Sequence, residues 1–142
     1  MKNFNKILYS VSGKIAILTI NRPERRNALD AETLEQINIL LDRAESDEKV
    51  RVILITGQGD TFSSGFDLKD QMEKAPKGKE WKPILELDHR TIMRFWNSPK
   101  PTIAAVKGAC LAGAFELSLA CDFTICSKDS FFGEPELKFG GE

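Results

Sequence analysis

A single histidine, a single tyrosine and three cysteines are spread over 142 residues, and neither sign of charge dominates. Each shortage removes a class of function. His89 is the only imidazole, and Cys110, Cys121 and Cys126 lack C-x-x-C spacing, so neither a zinc ligand set nor an even disulfide framework is present. The thiols read instead as small, partly buried apolar groups in a reducing compartment. Twenty Lys and Arg residues against 21 Asp and Glu leave a formal net charge of -1, without the basic excess of a general nucleic-acid binder. No apolar run approaches the roughly 20 residues that span a bilayer. The opening Met1-Lys2-Asn3-Phe4-Asn5-Lys6 has no apolar core followed by a small-residue cleavage site. The expectation is a soluble, cytoplasmic protein with no metal, no nucleic-acid partner and no membrane contact.

What is present fits an ordinary globular chain, 42% hydrophobic and 29% charged, of the size of one domain spanning 1–142. Ile15 to Ile20 is short, β-branched and apolar on both faces, as in a strand buried within a layered α/β structure, and Asn21-Arg22-Pro23 ends it. From Asp30, a plausible N-cap, Leu34, Ile37, Leu41 and Ala44 recur at helical spacing. Val50 to Ile55 reads as a second buried strand closed by the turn Thr56 to Asp60, which makes a strand-helix-strand crossover unit. The polar stretch Glu73 to Glu80 reads as a surface loop, followed by a helix over Trp81 to Trp96 that Pro99 and Pro101 stop. A third strand over Thr102 to Val106, a short helix over Ala114 to Ala120 and a strand over Phe123 to Cys126 complete the pattern.

Two glycine-containing turns follow buried strands: Phe62-Ser63-Ser64-Gly65-Phe66-Asp67-Leu68, and Gly108 through Leu111-Ala112-Gly113-Ala114-Phe115 to Glu116. Each can leave backbone N–H groups free at the start of a helix, where they carry partial positive charge. Two such groups aimed at one oxygen make an oxyanion hole. Taken singly, each turn is equally well explained by tight backbone geometry. Four blocks in order change the weighing: Asn21-Arg22-Pro23 through Asn27-Ala28-Leu29, Ile55-Thr56-Gly57 through Leu68, Lys100-Pro101-Thr102 through Glu116-Leu117, and Phe132-Gly133-Glu134-Pro135-Glu136. In order and spacing they resemble the crotonase (enoyl-CoA hydratase/isomerase) family, over about Ile15 to Glu136.

The resemblance implies an α/β crotonase-like ββα spiral core, truncated before the carboxy-terminal helical region. It implies hydration of 2-enoyl-CoA thioesters, with Phe66 and Gly113 as the oxyanion-hole donors. Glu116 falls at one catalytic glutamate of the family's hydratases, and Glu136 at the other. By resemblance, Glu116 orients or deprotonates water and Glu136 is the acid/base at C2. Substrate-binding positions implied are Arg26, Ala28, Phe66, Asp67, Leu68 and Lys69, with Arg25 a further candidate for phosphate and Asp67 also a helix cap. Coenzyme A enters as part of the substrate, with no separate cofactor, and relatives assemble as trimers or pairs of trimers.

The second turn reads Ala112-Gly113-Ala114 where many relatives have consecutive glycines, so Ala112 is expected to stiffen it. Family members continue for about as many residues again, and apolar surface left bare at the end would favour self-association. His89 reads as structural, and Trp81, Trp96, Ile92 and Met93 as core packing, with an acyl-pocket wall as their alternative. Rival functions are an isomerase or thioester hydrolase of the same family, or a non-catalytic assembly module that keeps the fold.

Overall fold

The computed structural model describes residues 4–74 and 76–139. The expectation that the amino terminus lacks a leader rests partly on Met1 to Asn3, and the loop reading partly on Ala75, and those residues lie outside the described set. The architecture is mixed α/β. A five-stranded sheet runs in the order β1 (Ile7–Ser12), β2 (Ile15–Ile20), β3 (Val52–Gly57), β4 (Thr102–Val106), β6 (Phe123–Cys126). A two-stranded sheet pairs β5 (Ala109–Leu111) with β7 (Phe131–Gly133). Helices α1 (Ala31–Ser46), α2 (Leu68–Glu73), α3 (Trp81–Trp96) and α4 (Gly113–Ala120) connect the strands.

From β2 onward the large sheet is parallel, with Leu18 opposite Ile55 and Ile55 opposite Ala104. Strands without a solvated face call for the continuous β-branched runs seen here. β1 was not anticipated. It pairs antiparallel with β2, Ile7 opposite Ile20, through a hairpin in which Gly13 holds φ +59. A glycine between two β-branched runs was the available signal.

α1 is built as its periodicity predicts. Asp30 accepts a hydrogen bond from the Thr33 amide at 2.8 Å as N-cap, and Leu34, Ile37, Leu41 and Ala44 are all buried against the sheet. Its last carbonyls are met by Lys100, whose Nζ donates to Ala44 O at 2.8 Å and Asp47 O at 2.7 Å. α3 departs from expectation. Its buried residues are Asp88, Thr91 and Phe95, whereas Trp81 and Trp96 face outward, Trp96 at 65% exposure. The core-packing reading of the two tryptophans is therefore wrong, while Ile92 does pack against the core. Asn38 of α1 donates to Thr91 Oγ1 at 2.7 Å, and this polar seam between helices fixes which side of α3 turns inward.

Cys110 and Cys121 are buried and Cys126 is exposed on β6, so the partly buried reading holds for two thiols of three. Burial pushes the Cys110 thiol up to about 11 and the Cys121 thiol up to about 12, which leaves both inert.

Candidate active site

The first glycine turn is clamped on both sides, and counting its amides isolates one of them. Phe62 N donates to Lys107 O, Ser63 N to Ala109 O, Ser64 N to Arg26 O, and Asp67 N to Leu29 O, at 2.8 to 3.1 Å. Gly65 N donates to Ser63 Oγ at 3.1 Å. Leu29 and Phe66 form a parallel bridge in which Gly65 O and Asp67 N face Leu29, so the Phe66 N–H points to the opposite side. Among the described residues it donates to no protein acceptor. Phe66 is half-buried, and an amide left without a protein partner there needs an account.

The second turn presents the matching donor. Ala112 N donates to Gly133 O at 2.8 Å, and Phe115 N and Glu116 N both return to Ala112 O. Gly113 is the first residue of α4, and its N–H is among those no helix can satisfy internally. The two turns touch. A Cβ built on Gly65, which sits at φ +96, would lie 2.6 Å from Ala112 Cβ and 3.3 Å from Gly113 N, and one on Gly113 would clash with the Phe66 ring carbons. Both glycines are thus required by the closeness of the two turns that carry these amides. Ala112 holds φ +55 with ψ -136, a conformation that strains any residue with a Cβ.

A cavity of about 800 Å³ opens beside Phe66, lined by Phe66, Leu68, Leu85, Ile92, Leu137 and by Glu116, Glu134, Glu136, Asp88, His89 and Gln71. Glu116 stands in the first turn of α4, and Glu136 in the 3-10 turn Pro135–Phe139 that follows β7. Burial and then the charge of Glu136 raise the Glu116 carboxyl above the ordinary 4.5, opposed by His89. Burial, with Glu136 and Glu116, raises Glu134 likewise. Burial, with Glu116, pushes Asp88 up to about 6. Glu136 Oε2 is buried without a hydrogen-bond partner among the described residues. A carboxyl so placed, next to Glu134, can exchange a proton with a group that enters the cavity.

An outer groove of about 440 Å³ shares Phe66 and Leu68 with the cavity and continues along Arg25, Arg26, Ala28, Ser64, Asp67 and Lys69. All six expected substrate-binding residues line it. Arg26 and Asn27 hold positive φ there, braced by Asn27, which accepts from Arg22 N and donates to Gln58 O and Thr61 O. Asp67 caps α2 by accepting from Asp70 N, and its carboxylate is gripped by Arg22 and Arg25, both at 3.1 Å. Asp67 therefore shapes the groove wall through its ion pairs. Lys69 and Arg26 are exposed at the rim.

The expected residues thus lie close together, with Phe66 at the junction of groove and cavity and Gly113 against the Phe66 ring. His89, read as structural, is exposed at the cavity mouth. Asp88, Gln71 and Glu134 were not anticipated. Glu134, two residues before Glu136, was within reach of the sequence, but Asp88 and Gln71 meet only through the packing of α2 on α3. Among the described residues no group of His, Cys, Asp and Glu is arranged to hold a metal ion, and no helix is long and apolar enough to cross a membrane.

A parallel α/β core whose two glycine turns converge beside paired glutamates defines the crotonase class of fold and site. The chain belongs to the enoyl-CoA hydratase/isomerase family, whose model matches residues 10–141. It is 40% identical over 137 residues to a probable enoyl-CoA hydratase of Bacillus subtilis, covering 96% of this chain and 52% of that protein. A short-chain-enoyl-CoA hydratase of Clostridium acetobutylicum is 34% identical over the same shares. Among solved structures, an enoyl-CoA hydratase/isomerase from Xanthobacter autotrophicus superposes with a TM-score of 0.96 at 58% identity, over 98% of this chain and 52% of that one. The chain spans about half the length of the relatives it matches, and corresponds to the amino-terminal half of the family's fold.

Proposed function

We propose that this chain supplies the chemical centre of an enoyl-CoA hydratase acting on 2-enoyl-CoA thioesters. The observation that carries the reading is the close contact of the two turns that carry the unpaired amides of Phe66 and Gly113, with Phe66 lining a cavity that also holds Glu116 and Glu136. In the proposed reaction the thioester carbonyl accepts from both amides, and these bonds strengthen as its oxygen takes on enolate charge; one such donor is worth about 3 kcal/mol in the barrier. Glu116 takes a proton from water as the oxygen attacks C3, a role suited to a carboxyl held above its ordinary value. Glu136 delivers a proton to C2, and the product is the 3-hydroxyacyl thioester. The coenzyme A portion lies along the outer groove, where Arg25, Arg26 and Lys69 offer cations to its phosphates. No further cofactor takes part. The exposed apolar surface of β6 and its neighbours supports a homo-oligomer.

Turnover of crotonyl-CoA by the 142-residue chain, followed as loss of the conjugated enoyl-thioester absorbance, tests the reading beside the Glu136→Gln variant. The expected result is turnover by the parent and a loss of at least about a hundredfold in the variant. A folded chain that binds acyl-CoA without hydrating it would sink the hydratase reading for these residues.

A further inference from the structure

The proposed hydration leaves the Glu134 carboxyl without a task, although it borders the same cavity as Glu136. The two stand on either side of Pro135, in a turn where Leu137 N donates to Glu134 O at 3.4 Å. The end of β7 that leads into this turn is pinned to α4, the helix of Glu116. Ala112 N donates to Gly133 O at 2.8 Å, and the Phe132 and Phe115 rings lie 5.5 Å apart. Three carboxyls, Glu116, Glu134 and Glu136, thus border one space. The other ionisable groups facing it are Asp88 and His89 of α3. Among the described residues no lysine or arginine lines the cavity, and Lys138 of the same turn is exposed outside it.

The Glu134 and Glu136 carboxyls are within hydrogen-bond reach of each other, and Glu136 Oε2 is buried with no donor among the described residues. Two ionised carboxylates can only accept, so neither satisfies the other, and with no cation lining the cavity their charges repel. One proton reverses this, because on either carboxyl it makes a charge-assisted O–H···O bond to the other. Burial, the charges of Glu136 and Glu116 and the hydrogen bond to Glu136 all hold the Glu134 carboxyl above its ordinary 4.5, the direction such a pair requires. We infer that Glu134 is a positioning residue that shares one proton with Glu136, so that Glu136 meets the substrate as an acid. The inference rests on the hydration reading and adds the source of the proton for C2. As the C3–O bond forms, Glu116 takes a proton from water; as the C2–H bond forms, Glu136 releases the shared one. The three carboxyls hold one proton before and after, and the net change is water added across the double bond. The proton returns from Glu116 to the pair before the next turnover.

Two readouts separate the pair from the chemistry. In the free protein, carbon-13 NMR of the glutamate carboxyls against pH identifies Glu134 by the signal lost in Glu134→Gln. That signal should titrate above 4.5 in the parent and nearer 4.5 in Glu136→Gln. An unchanged Glu134 titration in Glu136→Gln overturns the shared proton. In turnover of crotonyl-CoA, an acid form is lost as pH rises, and removal of the partner's charge brings that loss to lower pH. At the alkaline pH where the parent keeps half its kcat, Glu134→Gln should turn over about tenfold more slowly, while on the acid side of the optimum the two agree within about threefold. A kcat lowered by one factor at every pH, or an alkaline limb left in place, makes Glu134 structural and overturns the inference. Coupled titration without turnover removes the hydration reading and leaves the shared proton standing, and turnover with independent titration does the reverse.

Discussion

Ala112 and Gly113 are adjacent, and the geometry assigns them opposite responses to the same exchange. Ala112 is held at φ +55 with ψ -136, where a Cβ costs about 1 to 3 kcal/mol. Ala112→Gly should therefore raise stability by about 1 kcal/mol once the added freedom of the unfolded chain is subtracted, read as a higher Tm with crotonyl-CoA turnover unchanged within a few-fold. Gly113→Ala drives a methyl group against the Phe66 ring carbons, so Phe66 or the turn must move, and with it the pair of amides. That variant should lose about a hundredfold or more in kcat, in keeping with loss of one oxyanion donor, while its KM changes less. Equal responses at the two positions would contradict the geometry. These residues were legible in the sequence because a turn is local: glycine spacing and the following helix start are written in consecutive positions. Asp88 and Gln71 were not, since seventeen positions separate them and only the packing of α2 on α3 makes them neighbours.

At the level of elements, the site depends on an ion network that no single segment contains. Lys6 before β1 pairs with Asp30 at 2.6 Å, Arg22 bridges Asp30 and Asp67 at 3.1 Å each, and Arg25 reaches Asp67 at 3.1 Å. The network joins the entry to β1, the N-terminus of α1 and the N-terminus of α2 around the first glycine turn. For Asp67, burial works against ionisation, but the Asp70 amide, Arg22 and Arg25 together hold its carboxyl below the ordinary 3.8. A carboxyl depressed on folding stabilises the protein above its unfolded value, and that stability is lost as pH falls through the folded value. The parent should accordingly lose stability progressively below about pH 4. Asp67→Asn should be less stable at pH 7 by about 3 kcal/mol, since it leaves Arg22 partly unpaired, and should show a flatter acid limb in its Tm against pH. An unaltered acid limb would assign the titration elsewhere. The strand and helix pattern was legible where periodicity was strong, as in α1 and β2 to β4. It misled on α3, where Trp81 and Trp96 mimic a core stripe. The inward side is set by Thr91, Phe95 and a hydrogen bond from Asn38, which no periodicity reveals.

The whole molecule is asymmetric in what it leaves bare. At one edge of the large sheet β1 buries Ile7 and half-buries Tyr9 while its other residues are exposed, but β6 at the other edge is exposed along its entire length. Phe123 and Ile125 stand there at 62% and 64% exposure, with Leu119 of α4 and Phe131 of β7 also uncovered. An edge strand offers unpaired N–H and C=O groups, and an apolar edge offers them without the charges that keep such edges apart. Burial of this surface against another chain gains about 25 cal/mol for each Å² of apolar area removed from water. Self-association of the 142-residue chain is the expected consequence. In size-exclusion chromatography with light scattering, the parent should elute as a species larger than a monomer at micromolar concentration. Ile125→Lys should shift it toward the monomer, because a single ammonium on the central residues of β6 must be desolvated in any contact that covers the edge. A lysine at Val11, half-exposed on the opposite edge, provides the control: Val11→Lys leaves the distribution as it was if β6 is the associating edge, whereas equal dispersal by both substitutions would locate the association in net charge rather than in this strand.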